Sequence, residues 1–146
     1  MTGVSKFDEL RMKTDRQVIQ LVKNTLDAGV RNARQALLCA EDWALARDLY
    51  HKAKNAHWQA ARLLPLAVDF RQEEHRELAS GLERLGGMLA ALSMISADGA
   101  PTEEKVSSLA HALWEARDCP DGLPEADWFR AERVLKQRAQ SVYAGR

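Results

Sequence analysis

Apolar residues recur at steps of three and four along most of the chain, and this spacing is typical of helices. The first such stripe consists of Val18, Leu21, Val22, Leu26, Val30, Ala33 and Leu37. Similar stripes follow in four later segments, and the first of these consists of Leu45, Leu49, Ala53, Ala56, Ala60 and Leu63. The alternating pattern that favours strands is almost absent. Alanine, leucine, arginine and glutamate, which form helices readily, are abundant. The pattern predicts an all-α protein of about five helices.

Capping residues and prolines set the predicted helix ends. Thr14 or Asp15 caps the first helix, which leaves residues 1–13 loose, and Asp42 and Thr102 cap the second and fourth helices. Pro124 lies near the first position of the fifth helix, where a missing amide donor costs little. The first three predicted helices run to about Cys39, from Trp43 to about Leu64, and from about Asp69 to about Ile95.

The short links between helices predict the topology. Three helices with short connections form an up-down-up antiparallel bundle, and the last two form a C-terminal two-helix hairpin. In the third helix, leucines at alternating steps of four and three form a short coiled-coil-like seam. We divide the chain into an N-terminal helical bundle, residues 1–97, and a C-terminal hairpin, residues 102–146. The hairpin either packs on the bundle or is flexibly attached to it.

Composition and charge narrow the function classes. The chain has 46% hydrophobic and 29% charged residues, with 21 basic and 21 acidic side chains, as expected of a folded protein. Zero net charge argues against a globally basic nucleic-acid binder. Cys39 and Cys119 are far apart and form no CxxC motif, which is typical of a reducing compartment. The start lacks a signal-peptide pattern, and the apolar stretch 85–97 is shorter than the roughly 20 residues that span a bilayer. We expect a cytoplasmic protein without a membrane contact.

Catalytic and metal-binding patterns are weak. His111 with Glu115, and Asp48 with His51, each place two ligand-type side chains one turn apart. A di-iron bundle needs paired Glu-x-x-His elements, but the residues three before His75, His57 and His111 are Gln72, Lys54 and Ser108. No nucleophile elbow or phosphate-binding glycine loop is present. The sequence therefore predicts no enzyme, cofactor, metal or small-molecule ligand, and a metal-binding helical bundle is kept as an alternative.

One face of the second predicted helix interleaves cations with an aromatic ring. Steps of 4, 3, 4 and 4 align Arg47, His51, Lys54, Trp58 and Arg62. Basic side chains neutralise phosphates and an indole stacks on a base, so this face is a candidate partner or nucleic-acid surface. The simpler interpretation is a solvated helix face with Trp58 at the edge of the core. A nucleic-acid-binding module is therefore an alternative rather than the main prediction.

The third predicted helix carries small and apolar residues on nearly every face around 85–97. Small residues let another backbone approach closely, so the candidate oligomer face consists of Gly81, Gly87, Met88, Ala91 and Met94. The same residues would also suit packing against the alanine-rich second helix, or coverage by the C-terminal hairpin. We expect a non-enzymatic protein–protein interaction or structural module, acting as a homo-oligomer or a small adaptor.

The C-terminal segment resembles a known family. It contains Leu113-Trp114-Glu115-Ala116-Arg117, then Pro120-Asp121-Gly122, then Asp127-Trp128-Phe129-Arg130-Ala131-Glu132. This order resembles an uncharacterised bacterial family, classed only as a domain of unknown function, with the pattern LWE–x–x–G–x–P–x–G followed by W–x–x–AE. The resemblance covers about 105–136. It implies a helical hairpin whose Trp114 and Trp128 clasp each other across a Pro/Gly turn, and it implies no known activity.

One position departs from that family pattern. Asp118 stands where the family usually has glycine, at the predicted left-handed end of the fourth helix. Aspartate is tolerated there less well than glycine, which has no Cβ to clash. We therefore expect this helix end to be frayed or capped differently.

Overall fold

A computed structural model describes residues 6–66, 72–96, 101–118 and 125–144. These residues form five helices and no strand, so the predicted all-α class is confirmed. A short 3₁₀ turn, Leu64–Leu66, directly follows the second helix. The helices are α1 (Lys6–Leu38), α2 (Trp43–Leu63), α3 (Gln72–Ser96), α4 (Glu103–Ala116) and α5 (Glu125–Ala144).

Helix α1 begins earlier than the sequence predicted. Residues 6–13 are helical, and neither Thr14 nor Asp15 is a cap. The Thr14 hydroxyl donates to the Leu10 carbonyl at 2.8 Å, and Asp15 is buried within the helix. The segment 6–13 contains no glycine or proline, and adding a residue to an existing helix is far easier than starting one. The prediction that all of residues 1–13 are loose was therefore wrong for 6–13.

Two predicted caps are confirmed. The Leu45 amide donates to the Asp42 carboxylate at 3.4 Å, and the Lys105 amide donates to the Thr102 hydroxyl at 3.2 Å. Each cap satisfies an amide that has no partner inside its helix. The predicted starts of the third helix, at Asp69, and of the fifth helix, at Pro124, lie outside the described residues.

The first three helices meet around Gly29. A Cβ added there would lie 2.9 Å from the Ala56 Cβ and 2.7 Å from a Leu85 methyl, so only glycine allows this approach. Leu26 of α1 lies beside Gly81 of α3, and Gly29 of α1 lies beside Leu85 of α3. Because the residue numbers rise together in these two contacts, α1 and α3 run parallel. Residues 39–42 alone connect α1 to α2, and two packed helices with so short a link run antiparallel, as the up-down-up prediction requires.

One apolar core draws on every helix. Its members with the lowest exposure include Val22, Leu37, Leu85, Leu92, Ile95, Leu109, Leu113 and Val134. Helix α4 packs against α1 and α3, and α5 packs against α4 and α3. The division of the chain into two domains stays a prediction.

The predicted stripes of α1 and α2 are buried or packed against the core at all but one position each. Leu21 and Leu45, predicted as core, are 50% and 49% exposed. Ile19 is buried on α1, and Ala46 and Tyr50 are buried on α2. A spacing of three or four fits two adjacent stripes on the same helix, and packing against neighbouring helices decides between them.

Helix α3 is long and apolar enough to cross a membrane by length and composition alone. It contains 25 residues, and an 18-residue window within it has a mean hydropathy of 1.2. The estimate from residues 85–97 alone therefore understated its apolar length. Of this window, 39% is buried inside the fold, and the core helix of a soluble protein passes the same test.

Candidate functional site

Five sequence-predicted residues lie together on the outside of α2. Arg47, His51, Lys54, Trp58 and Arg62 are all exposed, and we call this set the α2 face. It extends about 22 Å along the helix at 1.5 Å per residue. The opposite side of α2 carries the buried alanines Ala53, Ala56 and Ala60, which hold the helix against its neighbours. The α2 face is therefore a rigid surface.

Cations on and beside the α2 face lie over aromatic rings. The Arg62 guanidinium carbon is 4.5 Å from the centroid of the Trp58 ring, and Trp58 is 58% exposed. The Lys54 ammonium lies 5.5 Å from the buried ring of Tyr50, and the His51 ring is 5.7 Å from the same ring. An exposed cation–π contact contributes about 0.5–1 kcal/mol, enough to bias side-chain orientation.

The α2 face keeps most of its positive charge. Asp48, the nearest acid along the helix, pairs with Lys52 at 3.3 Å. Among the described residues, Arg47, Lys54 and Arg62 form no ion pair. The face thus presents three uncompensated cations around an exposed indole.

The predicted oligomer face on α3 needs a correction. Met88 and Ala91 are 4% and 3% exposed and belong to the core, so they add almost no area to an outer face of α3. Gly81 and Met94 are half-buried, and Gly87 is exposed with nothing within 4 Å of an added Cβ. Helix α4 lies beside this part of α3 and takes up much of the surface that the sequence left open.

Histidines and carboxylates do not converge into a site within the described ranges. His111 Nε2 lies 2.9 Å from a Glu115 oxygen, as their spacing predicted. Asp48 pairs with Lys52. No group of three His, Cys, Asp or Glu side chains with metal-binding geometry occurs among the residues that the structure describes. The metal-binding alternative and the absence of catalysis stay predictions.

An arginine that the sequence reasoning did not single out joins the hairpin to the bundle. Arg130 donates from Nε to Glu41 Oε1 at 2.7 Å and from Nη2 to Glu41 Oε2 at 3.0 Å. Its Nη2 also donates to the Leu38 carbonyl at the end of α1. We call Leu38, Glu41 and Arg130 the Arg130 corner. The two partners are 89 positions apart in the chain, so no local pattern could have revealed this contact.

The Arg130 corner shifts the pKa of both charged groups. The hydrogen bond from Arg130 is the main reason that the pKa of Glu41 is lowered, and partial burial opposes it. The hydrogen bond to Glu41 raises the pKa of Arg130. Nearby, the pKa of the half-buried Cys39 thiol is raised by burial first and by Asp42 second. A thiol held in this way is a poor nucleophile.

Ion pairs also fix the ends of the hairpin. Asp127, which is 2% exposed, accepts from Arg117 at 2.8 Å. Asp118 has a φ of 63°, which confirms the predicted left-handed conformation, and it pairs with Arg34 of α1 at 2.6 Å. The Arg117 amide donates to the Leu113 and Trp114 carbonyls. This helix end is therefore capped and not frayed.

The two tryptophans of the predicted clasp are both half-buried. Trp128 is partly buried against the core, and the half-buried ring of Trp114 lies 5.8 Å from that of His111. The segment 119–124, with Cys119 and the predicted Pro/Gly turn, lies outside the described residues. The contact between Trp114 and Trp128 stays a prediction.

Comparison with known protein families gives a match to the C-terminal part of the chain. A family model described as a protein of unknown function, DUF2934, matches residues 101–137, which include α4 and most of α5. No curated protein matches the chain, and no solved structure does so either. The match supports a resemblance to an uncharacterised family over about a quarter of the chain, and it brings no activity with it.

Proposed function

We propose that this chain is a non-enzymatic protein-interaction module whose contact surface is the α2 face. The observation that carries the proposal is Trp58, a large ring left 58% exposed on a rigid helix and flanked by the uncompensated cations Lys54 and Arg62. Tryptophan and arginine are the residue types most enriched among the side chains that dominate binding energy in protein interfaces. A partner that covers the indole and supplies carboxylates would complement both features.

Pre-organisation supports this use of the α2 face. The helix is fixed by its buried alanines, and Arg62 already restrains the Trp58 ring. Binding therefore orders few additional side chains, and that ordering is a main cost of association. The formal charge of the three unpaired cations favours an acidic surface and penalises a basic one.

Nucleic acid is the second candidate partner for the α2 face, because its cations alternate with an aromatic ring. The number of cations is small for this purpose, because three cations allow about three phosphate contacts. Each contact adds roughly 0.7–0.9 to the slope with which log affinity falls against log salt concentration. Proteins whose affinity depends steeply on salt make about six to ten phosphate contacts. The zero net charge adds no long-range attraction. We therefore rank nucleic acid below a protein partner.

A site-specific cross-link tests the proposal. A photo-reactive amino acid replaces Asn55, which is exposed beside the α2 face, and irradiation in the native cell should give a discrete protein adduct. The double change Trp58→Ala and Arg62→Ala should remove that adduct. Leu45→Ala is the matched control, because Leu45 is also an exposed apolar residue of α2 but lies on another side. An adduct that survives the double change contradicts the proposal.

Nuclease treatment and salt separate the two candidates. An adduct that disappears with nuclease, together with oligonucleotide binding that weakens steeply with salt and with Arg47→Glu plus Lys54→Glu, would support nucleic acid instead. Light scattering on the purified chain tests the expected homo-oligomer. A strict monomer at high concentration would contradict the homo-oligomer, and the proposal would then be a monomeric adaptor.

A further inference from the structure

A second surface lies between α1 and α3, away from the α2 face. We infer that the open groove between these two helices is the docking site for an amphipathic helix of a partner protein that carries carboxylates along its flanks. The inference does not depend on the function proposed for the α2 face.

Helices α1 and α3 pack side by side, and we call the line along which they meet the α1–α3 seam. Helix α4 lies on one part of this seam, and the groove is the part that α4 leaves open. Helix α4 packs on α1 and α3, and Asp118, just beyond its end, binds Arg34 of α1. Helix α4 has only 14 residues, whereas α1 has 33 and α3 has 25, so it covers only part of the seam. An open groove of about 910 Å³ remains, lined by residues within 23–31 of α1 and 77–84 of α3.

The floor of the groove is apolar and has a gap at one position. Leu26 and Leu78 are buried and line it, and Gly81 beside them supplies no side chain. A Cβ added at Gly81 would lie 3.5 Å from a Leu26 methyl, an ordinary contact distance. A Cβ at this position therefore fits the fold, and the further atoms of a larger side chain would take up groove volume.

The rim of the groove carries free charge. Lys23, Arg31 and Arg84 face Asp27 and Glu77 around the opening. None of these five forms an ion pair within the part of the chain that the structure describes. The cations outnumber the anions by three to two, so an occupant with acidic flanks is favoured.

The chain itself shows how this seam accepts a helix. Helix α4 buries Leu109 and Leu113 in the core, and the carboxylate that follows it binds a cation of α1. Arg34, which receives that carboxylate, lies one turn after Arg31 on the same helix. An acid-flanked helix in the open groove would continue this established packing. A second copy that presented its α2 face would instead bring cations to a cationic rim.

Filling the groove tests the inference. The probe is a fluorescent synthetic peptide of about 15 residues, with leucines at helical spacing and glutamates beside them. We expect it to bind the wild-type chain and to bind Gly81→Leu at least about tenfold more weakly, a loss of about 1.4 kcal/mol. Gly87→Leu is the matched control, because it adds the same side chain to an exposed position of the same helix. It should bind as the wild type does.

A folding control and a charge-reversed peptide distinguish loss of binding from loss of folding. Both glycine variants should keep the wild-type circular-dichroism spectrum and melting temperature or exceed it, because leucine favours helices more than glycine does. An analogue with lysines in place of the glutamates should bind weakly. Equal loss in both glycine variants, or no binding of the acidic peptide to wild type at about 1 mM, overturns the inference. A dimer that Gly81→Leu abolishes would identify a second copy as the occupant and would also overturn it.

Discussion

The arginines of α5 and of α2 lie in opposite surroundings. Arg130 of α5 is half-buried, donates to both carboxylate oxygens of Glu41 and caps the carbonyl end of α1. Arg47 and Arg62 of α2 are exposed and have no acidic partner among the described residues. The first arrangement uses charge to fix one helix against another. The second leaves charge available to a partner, which is why we place the candidate site on α2 and not at the Arg130 corner.

The largest expected effect tests whether the hairpin belongs to the same folding unit as the bundle. Leu113→Ala removes a fully buried side chain of α4, and it should lower the free energy of unfolding by about 2–5 kcal/mol. Because the core draws on all five helices, urea unfolding should show one transition for the wild type and one for Leu113→Ala. Two separate transitions would show that the hairpin folds independently. Leu45→Ala, at an exposed position, should change stability by less than about 0.5 kcal/mol.

The next effect tests the contrast between the two sets of arginines directly. Arg130→Ala removes hydrogen bonds to a carboxylate and to a helix-terminal carbonyl, and it should lower the free energy of unfolding by about 1.5–3 kcal/mol. Arg133→Ala is the control within α5, because Arg133 is exposed and lies 3.8 Å from Glu41. It should cost less than about 0.5 kcal/mol, as should Arg62→Ala on α2. Equal losses from Arg130→Ala and Arg62→Ala would remove the contrast.

Acid should weaken the Arg130 corner. The pKa of Glu41 is lowered from its ordinary value of 4.5, so its ionised form is favoured by folding. The stability it contributes is therefore fully present above pH 4.5 and is lost as the pH falls through the lower folded-state pKa. Below pH 4.5, wild-type stability should fall more steeply than that of Arg130→Ala. Parallel pH profiles would show that Glu41 is not stabilised by this arginine.

The smallest expected effect concerns Asp118. Glycine removes the steric cost of a left-handed backbone, which is of order 1 kcal/mol for a residue with a Cβ. It also removes the exposed ion pair with Arg34, which contributes about 0–1 kcal/mol. Asp118→Gly should therefore be neutral or raise the melting temperature slightly, while Arg34→Ala should lower it slightly. A clear loss of stability in Asp118→Gly would show that the ion pair outweighs the backbone strain.

Much of the fold followed from local patterns. The helical class and the caps at Asp42 and Thr102 were predicted and are confirmed, whereas the left-handed residue at Asp118, also confirmed, was predicted from the family resemblance. The five residues of the α2 face were also aligned correctly, because helical periodicity alone decides which side chains share a face. Each of these features depends on residues no more than about four positions apart, or on one repeated step.

Other features could not be read in this way. Leu21 and Leu45 were assigned to the core and are exposed, because the direction in which a helix turns its apolar side depends on its neighbours. Met88 and Ala91 were assigned to a partner surface and are buried, because α4 lies against that part of α3. The start of α1 was missed, because helix extension needs no visible signal.

The sequence by itself determined that this protein is helical, where two of its helices are capped and which side chains α2 can present together, since those properties arise from neighbours along the chain. Only the tertiary structure decided that Arg130 meets Glu41, that α4 covers part of the α1–α3 seam and that the rest stays open. Those contacts join residues many positions apart, and their energies depend on how whole helices pack rather than on any local pattern.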